Sequence, residues 1–466
     1  MNGFETMMWR ADRILPSPVL AIEQLDTVPR WDRFREVHER VVRTLPRLRQ
    51  RVVEAPLGLV APRWSADPTF DLDFHVWRTR MCDGHGWAEL FDRAARWALD
   101  PFERTHPVWE AVLCEGLPGG RCAYVLKLHH SLADGLGVAQ LLEYLHSAVR
   151  EPNTDTSGIP TVPAARSGVL RAIAGQLRHD VTGVAGMVAV CGAGARDAVS
   201  DPVGWVSRAS RYGRSLYRTL SPPDAPASPL LARRGRGWRF AALDVPLREL
   251  RAAARMAGAT LNDTYLAALL GGYRHYHTAM GSQLEAIPMA IPISRRRPGD
   301  PAGGNRIAGA RLSGPIGIGD PQKRITAIRE LVLAARREPA IDTIALMSPV
   351  LGRLPGSVTA RLVGPMTAGN DLQAGLLPAP RTERYLAGAR VERVYPLRPI
   401  TRLPSNDHYG GPRRHRLRRD QLRPGRVYRT RRIPALSERR VQRGARPATR
   451  PRAAHPTQMI PERNCV

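Results

Sequence analysis

Between an apolar run, Ala123 to Leu128, and a helix-periodic one, Leu136 to Val149, the chain reads His129-His130-Ser131-Leu132-Ala133-Asp134-Gly135. A short apolar run before a polar turn, with a helical repeat after it, predicts strand, turn and helix. The chemistry of the turn is as telling as its shape. A histidine at a strand end, ahead of a helix, is held firmly and yet faces a cleft. Imidazole titrates near neutrality, so it takes a proton from a hydroxyl and returns it to a leaving group. Asp134 is expected to fix the turn, and Gly135 to permit a backbone shape that other residues resist. The bland alternative is two histidines at a strand end followed by an Asp-Gly turn.

The rest of residues 1–150 alternates in the same way and reads as one α/β domain. Phe34, Val37, Val41, Leu45 and Leu48 return at three- and four-residue steps, which predicts a helix over 32–50. Phe70, Leu72, Phe74 and Val76 alternate with polar neighbours, which predicts a half-buried strand. A helix is expected over 86–99, a short strand from Trp109 to Cys114 and a turn from Gly116 to Gly120. Residues 151–237 open and close on Pro-rich stretches and read as a linker with crossover helices. A second α/β block spans 238–397. It holds strand-like Trp238 to Val245, helices from about Pro246 and from Leu261 to His277, a strand from Ala286 to Ile293, and a helix from Asp320 to Arg337.

Several classes fall away. No uncharged apolar run reaches the roughly 20 residues of a spanning helix, and Glu5, Arg10 and Asp12 interrupt the start where a secretory signal would lie. The five cysteines form no CxxC pair, so neither a disulfide scaffold nor a zinc ribbon is expected. Net charge is +28, which invites a nucleic-acid reading. However, residues 398–466 hold 19 arginines against four acids and so carry more than half of that excess. Only Lys127 and Lys323 are lysines, and the arginine bias of a GC-rich coding sequence accounts for the remainder without a phosphate-binding patch. The last 69 residues hold nine prolines and ten Leu, Ile, Val or Phe, a composition expected of a disordered basic tail.

The His129 to Gly135 segment resembles the HHxxxDG signature of CoA-dependent acyltransferases. More of the chain is similar to the bacterial wax ester synthase/acyl-CoA:diacylglycerol acyltransferase family. The matches include Pro101-Phe102-Glu103-Arg104 leading to Pro107-Val108-Trp109-Glu110, and Thr260-Leu261-Asn262-Asp263 at a helix start. They continue through Ile291-Pro292-Ile293-Ser294-Arg295, Gly304-Asn305-Arg306 and Tyr385 to Val391, so the likeness runs from about Gly3 to Pro396. The resemblance implies a two-domain, chloramphenicol acetyltransferase-like α/β fold with the catalytic turn at the domain interface. It implies His130 as general base, acyl-CoA as donor, and diacylglycerol or a long-chain alcohol as acceptor. His129 is expected to shape the turn, Asp134 to orient the loop, and the Gly135 amide to be a candidate donor to the oxyanion. Direct transfer needs neither metal nor resident cofactor. A cytoplasmic enzyme, peripheral at a membrane or lipid inclusion, follows, and the basic charge favours anionic surfaces.

Three substrate-side readings stay open. Asn262 and Asp263 either shape the cleft opposite His130 or belong to a capping box begun by Thr260. Trp109 is either core or substrate-binding. Arg295 to Arg297 either meet CoA phosphates or form a solvated run. The chain also departs from the family pattern twice. After Asn370 to Ala374 it reads Gly375-Leu376-Leu377-Pro378 in place of a Ser-Asn-x-x-Gly-like motif, and beyond Pro396 the arginine-rich tail replaces apolar strands and a final helix. A reading-frame change near 396–400, with a local slip around 375–383, is our hypothesis for both. It leaves the second domain incomplete, and translating the other frames of the coding DNA tests it. The competing functions are a different acyl donor or alcohol, a catalytically inactive lipid-binding protein with a damaged C-terminus, and nucleic-acid binding through the tail.

Overall fold

The central strand of the molecule is one that no sequence pattern above picks out. Pro18–Leu25 (β1) is buried along its whole length because it has partners on both edges and apolar layers on both faces. The computed structural model describes residues 1–54, 61–81, 86–151, 196–232, 238–294, 307–343, 347–348, 351–377 and 382–397. After β1 come β2 (Gln50–Val53), β3 (Arg63–Ala66), β4 (Val76–Arg80), β5 (Trp109–Leu117), β6 (Arg121–His129) and β7 (His146–Ser147). The remaining strands are β8 (Ile287–Ser294), β9 (Ile307–Gly314), β10 (Leu372–Gln373), β11 (Tyr385–Leu386) and β12 (Ala389–Leu397). Seven of them form the larger sheet, in the order β4-β5-β6-β1-β12-β11-β7, and β10-β8-β9 form a smaller one.

Helices used below are α1 (Gly3–Ala11), α2 (Trp31–Thr44), α3 (Leu72–His75), α4 (Gly86–Trp97) and α5 (Gly135–Leu145). They continue as α6 (Pro202–Leu220), α7 (Leu247–Met256), α8 (Leu261–Ala279), α9 (Pro321–Arg337) and α10 (Gly356–Ala368). The period of two along the strands sorts side chains into two layers. Val19, Ala21 and Leu25 join Tyr124, Leu126 and Leu128 beneath α2 and α5. Leu20 and Ile22 join Val112, Ala123 and Val125 against Leu90 and Ala94 of α4. A separate core packs Leu266 and Leu270 of α8 and Ile325 and Ile328 of α9 on Ile287, Met289 and Ile291 of β8.

Three local expectations change. The helix over 32–50 stops at Thr44, and Pro46 opens a 3-10 turn. The strand expected from Phe70 begins only at Val76. Residues 72–75 form a helical turn, its start capped by the Asp71 carboxylate accepting the Asp73 N–H at 3.0 Å. Residues 238–245 join no strand ladder in the structure, and Trp238 and Phe240 pack instead on the α4 side of the larger sheet. The most consequential strand is β12. It comes from the C-terminal block but pairs antiparallel with β1, from Leu20 opposite Leu397 to Leu25 opposite Val391. Contact between the two halves continues where α10 packs on α1 and Arg10 donates to the Gly352 carbonyl at 2.7 Å. The tail over 398–466, most of the stretch 151–195 and residues 378–381 lie outside the described residues.

Candidate active site

β6 delivers the paired histidines. His129 is its last residue, opposite Pro18 of β1, and His130 begins the turn with its N–H donating to the Ser17 carbonyl at 2.9 Å. Both are buried. The turn closes as the Leu132 N–H reaches the His129 carbonyl at 2.9 Å. Asp134 then caps α5. Its carboxylate accepts the Gly137 N–H at 2.8 Å, and its carbonyl accepts the Val138 N–H at 2.8 Å. A fully buried aspartate in that position ties the histidine turn to the helix behind it.

His129 has a close polar neighbour at each ring nitrogen. Nδ1 accepts the Ser131 N–H at 3.1 Å and lies 2.7 Å from the Ser131 hydroxyl. A backbone N–H aimed at Nδ1 leaves no room for a proton there, which assigns the ring proton to Nε2. Nε2 lies 3.0 Å from Asp12 Oδ1. The same Asp12 oxygen accepts the Ser17 N–H at 2.9 Å, and so bears on the loop that holds His130. Burial opposes the charge on Asp12. The His129 Nε2–H, the Ser17 amide and Arg104 outweigh it and hold the carboxyl below the usual carboxylate range. Arg104 lies 3.4 Å from Asp12 Oδ2 and stacks 4.2 Å from the Trp9 ring centre. Trp9 in turn meets the His129 ring edge-on at 5.4 Å.

Sequence reasoning missed Asp12, Ser17 and Ser131. Asp12 entered it only as a charge near the N-terminus, and a lone aspartate in a loop has no period or spacing to mark it. The signal that existed was Arg104, inside the Pro101 to Arg104 motif. Lys127, two residues before His129 on the same strand face, is also held from that segment: Nζ donates to the Asp100 carbonyl at 3.0 Å and lies 4.4 Å from the Phe102 ring centre.

The other candidates sort themselves by their contacts. Gly135 does not have the left-handed backbone expected of it. Its requirement is space, because a Cβ there would stand 3.0 Å from Leu377 Cδ2. Leu377 follows β10, so an extension of the smaller sheet reaches the histidine turn. Asp263 sits at the start of α8 in a reciprocal cap. It accepts the Thr260 N–H at 2.9 Å, and its own N–H donates to the Thr260 hydroxyl at 3.2 Å. Asn262 beside it is half-buried. Trp109 is buried in the larger core, donates its indole N–H to the Leu48 carbonyl at 2.8 Å and stacks on His75 at 4.6 Å. Arg295 to Arg297 lie outside the described residues.

Cys114 and Cys122 are buried, and burial pushes the Cys114 thiol up to about 12 and Cys122 higher still, so both are poor nucleophiles. Among the described residues no group of three or more His, Cys, Asp or Glu side chains is placed to hold a metal ion.

Known proteins resemble this chain in sequence and in fold. Residues 5–265 match the model of the wax ester synthase/diacylglycerol acyltransferase catalytic domain. A Mycobacterium tuberculosis protein named as a presumed diacylglycerol O-acyltransferase is 38% identical over 391 residues, covering 82% of this chain and 78% of its own. Among solved structures, the wax ester synthase/diacylglycerol acyltransferase of Marinobacter aquaeolei aligns with a TM-score of 0.54 at 20% identity, over 86% of this chain and 88% of that one. The first condensation domain of the calcium-dependent antibiotic synthetase aligns with a TM-score of 0.51 at 16% identity, over 86% of each chain. These two likenesses give the fold, the sheet architecture of the chloramphenicol acetyltransferase type. The family-model match and the identity to the mycobacterial protein go further: the chain belongs to the wax ester synthase/diacylglycerol acyltransferase family.

Proposed function

We propose that this acyltransferase esterifies diacylglycerol, or a long-chain alcohol, with fatty acyl-CoA, and that His130 is its general base. The observation that carries the assignment is the close polar neighbour at each ring nitrogen of His129. With Nδ1 accepting from Ser131 and Nε2 facing Asp12, His129 serves as a structural histidine, which supports His130, the second histidine of the HHxxxDG-like turn, as the base.

His130 removes the proton from the acceptor hydroxyl as its oxygen attacks the thioester carbonyl. The C–S bond then breaks, and the CoA thiolate takes the proton back from the imidazolium. Gly135 stands at the first helical position of α5, where backbone N–H groups have no intrahelical acceptor, so its amide suits the oxyanion. The contact of Gly135 with Leu377 supports a two-domain cleft closed over the turn. Direct transfer between two bound substrates calls on no resident cofactor. An acceptor dissolved in lipid and a donor dissolved in water place the enzyme at the cytoplasmic face of a membrane or lipid inclusion. Among the described residues no helix is long and apolar enough to cross a membrane.

CoA release from palmitoyl-CoA with diacylglycerol or hexadecanol tests this. His130→Ala is expected to lower acceptor-dependent release by roughly 10²- to 10⁴-fold while the protein stays folded. Unchanged turnover in that variant removes His130 from the role of base. A folded wild-type chain that binds lipid and releases no CoA with either acceptor replaces the reaction with the lipid-binding reading.

A further inference from the structure

Helix α6 packs on the body through its polar side. Ser215 is fully buried; its hydroxyl donates to Glu338 at 2.5 Å and accepts the Ala340 N–H at 2.9 Å. Arg218 pairs with the same Glu338 at 2.8 Å, Tyr212 meets Thr343 at 3.2 Å, and Arg311 donates to the Thr219 carbonyl at 3.1 Å. Residues 203, 206, 210, 213 and 217 follow one another at three- and four-residue steps and so share a single stripe. It lies away from Ser215. Val203 is 82% exposed, Val206 59% and Tyr217 75%, with Ser210 and Gly213 between them, and Trp205 and Leu220 are exposed beside the stripe.

An apolar stripe turned outward is unusual for a helix docked on a core, and its charge limits what it can meet. The helix holds four arginines and no acid over its 19 residues. Arg208 pairs with Asp201 and Arg218 with Glu338. Arg211 and Arg214 are exposed and join no ion pair among the described residues. A second copy laid on this stripe would bring arginines against arginines. An anionic lipid surface would take valine, tryptophan and tyrosine into its acyl boundary and arginine at its phosphates.

We propose that α6 lies in the headgroup layer of an anionic membrane or lipid-inclusion surface, with Val203, Val206 and Tyr217 entering the lipid. The inference rests on the reading of a lipid acceptor, and it identifies which face of the protein meets the phase that holds it.

Vesicle sedimentation of the full chain tests it without turnover. One set of vesicles is phosphatidylcholine alone, and a second adds phosphatidylglycerol. The arginines of residues 398–466 would also attract anionic vesicles, so binding is read at low salt and at about 0.5 M salt, where exposed charges are screened. Val203→Asp with Val206→Asp and Tyr217→Asp is expected to weaken the salt-resistant partition by about tenfold or more, with an unchanged circular dichroism spectrum. Arg211→Glu with Arg214→Glu is expected to weaken only the low-salt preference for phosphatidylglycerol. Equal partition of the wild type and the triple variant overturns the proposal. So does a wild type that ignores vesicles but dimerises through the stripe, losing its dimer in the triple variant. Vesicle binding that persists without CoA release leaves α6 as the lipid face and rejects the esterification reading instead.

Discussion

A single carboxylate oxygen, Oδ1 of Asp12, stands next to His129 Nε2 and the Ser17 N–H, and Ser17 in turn holds the His130 amide. Asp12 therefore acts on the proposed base through two neighbours without touching the reacting atoms. Asp12→Ala is expected to cost about 1–3 kcal/mol of stability, the scale of hydrogen bonds to a charged group, read as a lower urea midpoint. Turnover should fall about tenfold while the KM for acyl-CoA holds, since misplacement of the turn affects the reaction more than ground-state binding. Asp12→Asn keeps an oxygen for Ser17 and should recover part of both. What was legible at this scale was the histidine turn, because its residues are contiguous. Asp12 and Ser17 were not, since their role comes from a strand pairing that brings Pro18 against His129.

The helices with a clear three-to-four period, α2, α5, α8 and α9, could be read from sequence because one face of each is apolar and the other wet. β1 could not. Buried on both faces, it shows no alternation, and Glu23 and Gln24 break its apolar run. Glu23 is paired at 3.0 Å with His146, at the far end of α5, which explains how an acid sits in a central strand. The misreading of residues 70–76 has a different cause, since four alternating apolar residues also fit one helical turn leading into a strand. The crossing of α1 and α10 left no pattern either; it depends on glycine. A Cβ at Gly356 would stand 2.2 Å from the Arg10 carbonyl oxygen, and backbone cannot swing aside. Gly356→Ala is expected to destabilise by about 1–3 kcal/mol in urea unfolding. Gly135→Ala meets only the end of the Leu377 side chain and should cost less.

Across the molecule, two buried histidines link folding to pH. Burial lowers His38 to about 4, its Nδ1–H donating to the Phe34 carbonyl and its Nε2 lying 3.1 Å from the Tyr124 hydroxyl. Burial likewise lowers His75 to about 4. In the unfolded chain each takes up a proton as pH falls below about 6.5, while the folded protein refuses it until about 4. The unfolded state binds more protons in that window, so stability falls as pH drops from 6.5 towards 4, by up to about 3 kcal/mol per histidine, and levels off below it. Urea midpoints at pH 7, 6 and 5 should show the decline, and His38→Gln should flatten it by one histidine's share.

The pairing of β1 with β12 also sets a clock on the ribosome. The strand that ends at His129 emerges early, but the edge of β1 that β12 covers has no partner until residue 397 has left the exit tunnel. At about 5–20 residues per second, that edge waits roughly tens of seconds. Over that interval the nascent chain presents an unpaired, largely apolar template of the kind that recruits neighbouring chains. A transcript that stalls or terminates between the histidine turn and residue 389 yields more than an inactive enzyme. It yields a sheet with an open seam through its centre, and the cell's chaperones meet that seam each time the protein is made.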